Sequence, residues 1–171
     1  MVSQMTTFRN LNELFKYINK NISETLKDEV ADAVRFEEQK QIEKVVYEPY
    51  KPYIYERRKY SDGGLQDVDM MVAVVEQRGN EVILSVVNMA KGQDQEDLYI
   101  APLIEYGDPS MSNVNHGQYG EYQYKYNRDR SSWRYLQRRP FTAETIAALK
   151  RSGVHIEAFK EGMMKRGIIV K

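Results

Sequence analysis

A chain of 171 residues is long enough for one domain with a real core and short for two, so a single domain over 1–171 is expected. Its 25 basic residues balance its 25 acidic ones, so no global field steers it toward nucleic acid or a membrane surface; 29% charged against 42% apolar describes a folded protein with a large polar surface. The absence of cysteine excludes disulfides, thiolate metal sites and a cysteine nucleophile. Met1 to Phe8 lacks the basic and apolar regions of a signal peptide, and no stretch approaches the length of a membrane span. We therefore expect a soluble protein, made and used inside a cell or within something assembled there.

The first predicted element is a long helix over 10–48. Asn10 can cap it, with Glu13 three residues later completing an N-cap pair. Leu11, Leu14, Phe15, Ile18, Ile22, Leu26, Val30, Ala33 and Val34 then recur at three- and four-residue steps, the mark of one apolar helical stripe, which resumes weakly at Ile42, Val45 and Val46. Neither glycine nor proline interrupts it, and Pro49 discourages continuation. Unbroken, such a helix spans roughly 55 Å, about twice the core of a chain this small. The spacing thus predicts either a bend near 19–23 or packing of the distal half on another subunit.

A connector over 49–66, rich in Tyr, Pro and Arg, leads to a turn at Ser61-Asp62-Gly63-Gly64. Strands are predicted over 68–77 and 81–89, joined by a turn containing Arg78-Gly79-Asn80. Val72-Ala73-Val74-Val75 and Val82-Ile83-Leu84 are apolar on both faces, so the hairpin needs cover on both; the long helix can supply one side, a second layer or a neighbour the other. A polar loop over 91–97 precedes a short helix over 97–106, with Pro102 near its first turn and Gly107 as its C-cap. The region 108–135 is variable and Tyr-rich: a Gly/Ser/Asn loop over 108–120, then a strand over 121–127 with Tyr122, Tyr124 and Tyr126 on one face. C-terminal helices fill 142–167: Thr142 caps the first, with Ile146, Ala147 and Leu149 apolar and Gly153 ending it, and the last stops at Gly167. Helix, hairpin, short helix, strand and helices in this order give an α+β fold, a long N-terminal helix packed on a small antiparallel β-sheet with further short C-terminal helices.

Groups suited to catalysis are thin. His116 lies in the Gly/Asn loop and His155 begins a helix; neither has a second ligand at metal spacing, and surface histidine is the simpler reading. Glu37, Glu38 and Glu43 sit on the polar side of the long helix and suggest no matched acid/base pair. Gly63-Gly64 lacks the Lys-Ser or Lys-Thr of a phosphate loop, and no Gly-x-Ser-x-Gly elbow exists. No catalytic, cofactor or metal residue is therefore assigned, and no enzyme is expected. Two segments mix aromatic rings with cations, one containing Tyr55, Arg57, Arg58 and Tyr60, the other Trp133, Arg134 and Arg138. That composition suits single-stranded nucleic acid, and equally suits protein interfaces or a core rim. With zero net charge, interface or core rim is read first, and a small nucleic-acid-binding module is the alternative.

The order of motifs resembles the tail-completion, or neck, proteins of long-tailed bacteriophages, particularly of phages infecting Gram-positive bacteria. The resemblance rests on the long helix leading into Val46-Tyr47-Glu48-Pro49-Tyr50 and Tyr55-Glu56-Arg57-Arg58, then Gly64-Leu65, the valine-rich hairpin and Leu103-Ile104-Glu105-Tyr106-Gly107. It closes on Arg138-Arg139-Pro140-Phe141, a Thr-Ala-Glu-Thr helix and the terminal helix; the polar insertion over 108–133 departs from the pattern. The resemblance implies a non-enzymatic virion or assembly component at the tail terminus or neck, assembled in the host cytoplasm, forming a homo-oligomeric ring with other head and tail proteins as partners and no membrane. Closed rings use head-to-tail contacts between unlike surfaces. We expect those contacts at Tyr99, Ile100, Leu103, Ile104 and Tyr106, at the outer hairpin face, and at the Arg139-Pro140-Phe141 corner. Local packing competes at the corner, where Phe141 can staple onto Ile146. The loop over 108–132 is a candidate lumen or docking arm.

Overall fold

The computed structural model describes residues 7–49, 58–92, 95–107 and 138–170, with backbone alone for 95–98. The loop, strand and docking arm expected within 108–135 lie outside the described residues, as does His116. The fold is α+β, and the described residues form two compact units, one from 7–37, 73–87 and 148–170, the other from 38–72, 88–107 and 138–147.

Helical backbone runs without a break from Leu11 to Tyr47, as α1 (Leu11–Thr25), a π-helical turn (Leu26–Val30), α2 (Ala31–Ile42) and a second π-helical turn (Glu43–Tyr47). The capping pair forms with one departure: Asn10 Oδ1 accepts the Glu13 amide at 3.0 Å, while Glu13 Oε2 accepts the amide of Arg9 rather than that of Asn10, also at 3.0 Å. The helix is unbroken through 19–23. The polar residues there bond back into their own helix, Asn21 Nδ2 to the Tyr17 carbonyl at 2.7 Å and Ser23 Oγ to the Asn19 carbonyl at 2.9 Å, and need no break to be satisfied. The irregularity comes one turn later, as a π turn at Leu26–Val30. The π turn falls inside the apolar stripe, with Val30 at its end and Ala31 just beyond it both buried. The helix ends at Tyr47, one residue early, where the Glu48 amide reaches the Glu43 carbonyl at 2.8 Å.

In the first unit α5 (Val154–Lys165) lies against α1 and the first π turn. Gly162 permits the approach: a Cβ there would stand 2.6 Å from Thr25 Cγ2 and 2.8 Å from Glu29 Oε2. Thr25, fully buried, donates from Oγ1 to the Met163 sulfur at 3.4 Å. Arg166 Nη1 bridges both Glu29 carboxylate oxygens at 2.9 and 2.8 Å while its Nη2 reaches Asp28 at 3.0 Å. The α5 terminus is a Schellman motif, with the Gly167 amide on the Met164 carbonyl and the Ile168 amide on the Met163 carbonyl, both at 2.9 Å, and Gly167 at φ 79° as the sequence predicts.

The hairpin consists of β1 (Met71–Arg78) and β2 (Glu81–Asn88), antiparallel around Gly79-Asn80. Val68–Met70, expected as strand, instead form a short 3-10 turn because Asp67 Oδ1 caps the Asp69 amide at 3.1 Å. Exposure alternates over Val72–Glu76 of β1 and Leu84–Val87 of β2: Val72, Val74 and Glu76 face out on β1, and Ser85 and Val87 on β2, while Ala73, Val75, Leu84 and Val86 are half-buried. One face is thus partly covered and the other open.

In the second unit the end of α2 packs on the hairpin's base. Asn88 Nδ2 donates to Glu38 Oε1 at 3.0 Å and to the Leu65 carbonyl at 2.8 Å. Gln39 and Gln66 exchange amide-to-carbonyl bonds at 2.7 and 2.8 Å, tying the same helix to the connector. The predicted turn forms, with Gly64 N on the Ser61 carbonyl at 3.0 Å and positive φ at both Asp62 and Gly63. Gly64 is obligatory, because a Cβ would run into the Arg58 carbonyl oxygen. Among the described residues, this unit's buried apolar side chains are Ile42, Val46, Tyr47, Leu65, Met71, Ala90, Ala101 and Phe141.

Two expectations for 91–106 fail together. The polar loop is a second ladder, β3 (Lys91–Gly92) antiparallel to β4 (Gln95–Tyr99), and the helix starts later as α3 (Ile100–Tyr106). The Ile100 amide bonds the Ala90 carbonyl at 2.9 Å, so residues 97–99 are held extended before the helix can begin. Pro102 does fall within the first turn, and Gly107, at φ 77°, closes the helix by bonding the Leu103 carbonyl at 2.9 Å.

Candidate interaction surface

The α3 segment and the 139–141 corner, separate in sequence, come together in the fold. The Arg139 amide bonds the Ile104 carbonyl at 2.9 Å. Beside it the Glu105 carboxylate, 7% exposed, accepts the amides of Thr142 at 2.8 Å and Ala143 at 3.3 Å. Those are orphan donors at the start of α4 (Phe141–Ser152), where a negative charge is favoured by the helix dipole. Thr142 is therefore not the cap. The cap comes from α3, and the helix begins one residue earlier, at Phe141.

That shift decides what the corner residues do. Phe141 is 1% exposed, so it belongs to the core and not to the surface; Thr145 Oγ1 donates back to its carbonyl at 2.7 Å. Ile146, its expected staple partner, is turned outward and 49% exposed. Arg139 and Pro140 are half-buried, as are Ile100, Leu103 and Ile104, while Tyr99 and Tyr106 are exposed. Lys91 Nζ sits 5.4 Å from the centre of the Tyr99 ring, a cation–π contact across the β3–β4 ladder. The α3 segment thus presents exposed Tyr99 and Tyr106 together with half-buried Ile100, Leu103 and Ile104, while its Glu105 is turned to the start of α4.

A second carboxyl, Glu38, lies buried in the same unit. Burial holds it above its ordinary range, the Asn88 hydrogen bond opposes that, and the charge of Glu105 adds to it. Both carboxylates are engaged in holding backbone or side-chain amides. Among the described residues no group of His, Cys, Asp and Glu is arranged to hold a metal ion, and no helix is long and apolar enough to cross a membrane.

The nucleic-acid candidates are not gathered by the described structure. Arg58 is spent on the turn, with Nη1 on the Asp62 carbonyl at 2.6 Å and Nη2 on the Lys91 carbonyl at 2.9 Å. Tyr60 and Arg138 are exposed. Tyr55, Arg57, Trp133 and Arg134 lie outside the described residues. Neighbouring Lys59 is engaged as well, bonding Glu43 at 2.7 Å and lying over the Tyr47 ring at 4.9 Å.

Two features escaped the sequence reading. Leu11 and Phe15, counted into the helix's inward stripe, are 68% and 57% exposed. The Arg166 clasp could have been suspected only from a cation in the last turn of α5, which marks a helix end and not a partner.

These features define an α+β protein whose described polar groups brace its own fold and whose surface carries separate apolar patches. The chain belongs to the YomN family, whose sequence profile matches residues 10–165. Neither a curated protein nor a solved structure matches it.

Proposed function

We propose that this chain is a non-enzymatic structural component of a tailed bacteriophage, acting in tail completion or head–tail joining as a homo-oligomer seated between other virion proteins. The observation that carries the reading is the open hairpin face, where Val74 and Val87 stand 44% and 49% exposed on a two-stranded ribbon. A bare hairpin is marginal in water, and apolar residues on its outer face favour a covering partner. The order of motifs along the chain supplies the identity of the assembly, and its place would be the virion, reached from the host cytoplasm. An enzymatic role draws no support from the described carboxylates, which brace the fold.

The test is reconstitution: purified protein is added to tails and filled heads assembled without it, and joined particles are counted. Binding to one of the two parts and a rise in joined particles are expected. A chain that stays monomeric at every concentration in native mass spectrometry and binds neither part sinks the reading.

A further inference from the structure

The first unit leaves two unlike apolar surfaces uncovered. One is the beginning of α1. Its stripe runs through Leu11, Phe15, Ile18, Ile22 and Thr25, and the later members are half-buried or buried where α5 lies against them. The first two turns continue the same stripe with Leu11 and Phe15 bare at 68% and 57% exposure. The other is the outer hairpin face, with Val74 and Val87. This unit has little interior of its own: among the described residues its buried apolar side chains are Val30, Ala31, Ala148 and Met163.

Charge distinguishes the two surfaces. At the helix start Arg9 and Lys16 outnumber Glu13, whose carboxylate is already occupied by the Arg9 amide and Asn10. On the hairpin Glu76 and Glu81 outnumber Arg78, which is itself paired with Glu76 at 2.8 Å. A slightly positive apolar knob and a slightly negative apolar ribbon on one chain are complementary. Two unlike patches that fit each other can join copies head to tail, the arrangement that closes into rings.

We propose that the first two turns of α1 in one copy, led by Leu11 and Phe15, dock on the Val74/Val87 face of the hairpin in the next copy. This rests on the oligomeric reading above and adds to it which surfaces meet.

The chain's lack of cysteine makes the test direct. Phe15→Cys and Val74→Cys are made as separate proteins, both at exposed positions, and each is oxidised alone and in an equal mixture; Leu11→Cys with Val87→Cys forms a second pair. The expected result is a reducible dimer in each mixture and at least tenfold less in either protein alone. A dimer from Phe15→Cys alone, or from Val74→Cys alone, means like surfaces meet and overturns the proposal. So does a wild-type protein that is oligomeric in native mass spectrometry while neither mixture cross-links; that outcome leaves the oligomeric reading standing. A monomeric wild type with no cross-link overturns both.

Discussion

Two glutamates on the same continuous helix respond to pH with opposite sign. Glu38 is raised by burial and by the charge of Glu105, against the Asn88 hydrogen bond. Its native state therefore holds a proton that the unfolded chain has released, so stability falls as pH rises from the ordinary carboxyl value through the folded one. Glu29 feels burial too, but the Arg166 hydrogen bond, its own backbone bond and the charges of Arg166 and Lys165 outweigh it and lower its pKa. Its contribution is present above the ordinary carboxyl value and is lost as pH falls through the folded one. Glu38→Gln keeps an acceptor for Asn88 without the charge, so thermal melts at pH 7 should move up, by about 2–4 °C per kcal/mol regained. Glu29→Gln should move them down, and should flatten the acid limb that Glu38→Gln leaves in place. Equal responses from the two would contradict the assignment. Phe141 offers a sharper residue-level test, because the corner's two readings differ in where its cost falls. As a core side chain, its change to Ala should cost the free chain about 3–5 kcal/mol in urea unfolding. Tyr106→Ala, at an exposed position of α3, should stay within about 0.5 kcal/mol in the same assay while weakening attachment to tails or heads.

At the scale of elements, the close seat of α5 on the first π turn hangs on Gly162. Ala is the better helix former by about 1 kcal/mol, so propensity alone predicts that Gly162→Ala stabilises. The new methyl would meet Thr25 Cγ2 at 2.6 Å, and Thr25 is fully buried on a branched, stiff side chain. Overpacking costs about 1–3 kcal/mol, and it wins: denaturant midpoints should fall, with hydrogen exchange rising first in α5. A midpoint that rises would mean the two helices part more easily than their contacts suggest. Elements announced by local signals were legible in the sequence. The Asn10 cap, the Ser61–Gly64 turn, the Gly107 and Gly167 closures and the turn joining the hairpin all declare themselves within a few residues, whereas Val72–Val75 and Val82–Leu84, apolar throughout, do not announce that one hairpin face stays open. What was not legible is decided by particular hydrogen bonds that periodicity does not register. The 3-10 turn at Val68–Met70, the β3–β4 ladder and the α4 cap are decided by Asp67, by the Ala90 carbonyl and by Glu105. The π turn at Leu26–Val30 holds Thr25 and Glu29 against α5, more than 130 residues onward, and no periodicity announces such a turn. Of the residues expected at a surface, Tyr99 and Tyr106 are exposed. Phe141 is not, because an aromatic beside proline reads alike whether it packs inward or outward.

For the molecule as a whole, the balance of 25 cations against 25 anions sets how assembly responds to salt. If copies join through Leu11, Phe15 and the hairpin valines, the favourable contribution is removal of apolar surface from water, which added salt does not screen. The slight charge difference between knob and ribbon acts mainly on the rate of encounter. Raising sodium chloride from 0.1 to 1 M shortens the screening length from about 10 to about 3 Å. It should slow association several-fold while leaving the oligomeric fraction at equilibrium within about twofold. Binding to single-stranded DNA through arginines makes the contrary prediction, since releasing counterions from each neutralised phosphate costs affinity steeply as salt rises. Light scattering and gel shifts over one salt series separate the two. Assembly that persists at 1 M, beside DNA binding that is absent even at 0.05 M, is the expected pair of results. Assembly that dissolves in step with salt would mean that charge pairs, and not the bare helix end and ribbon, hold the copies together.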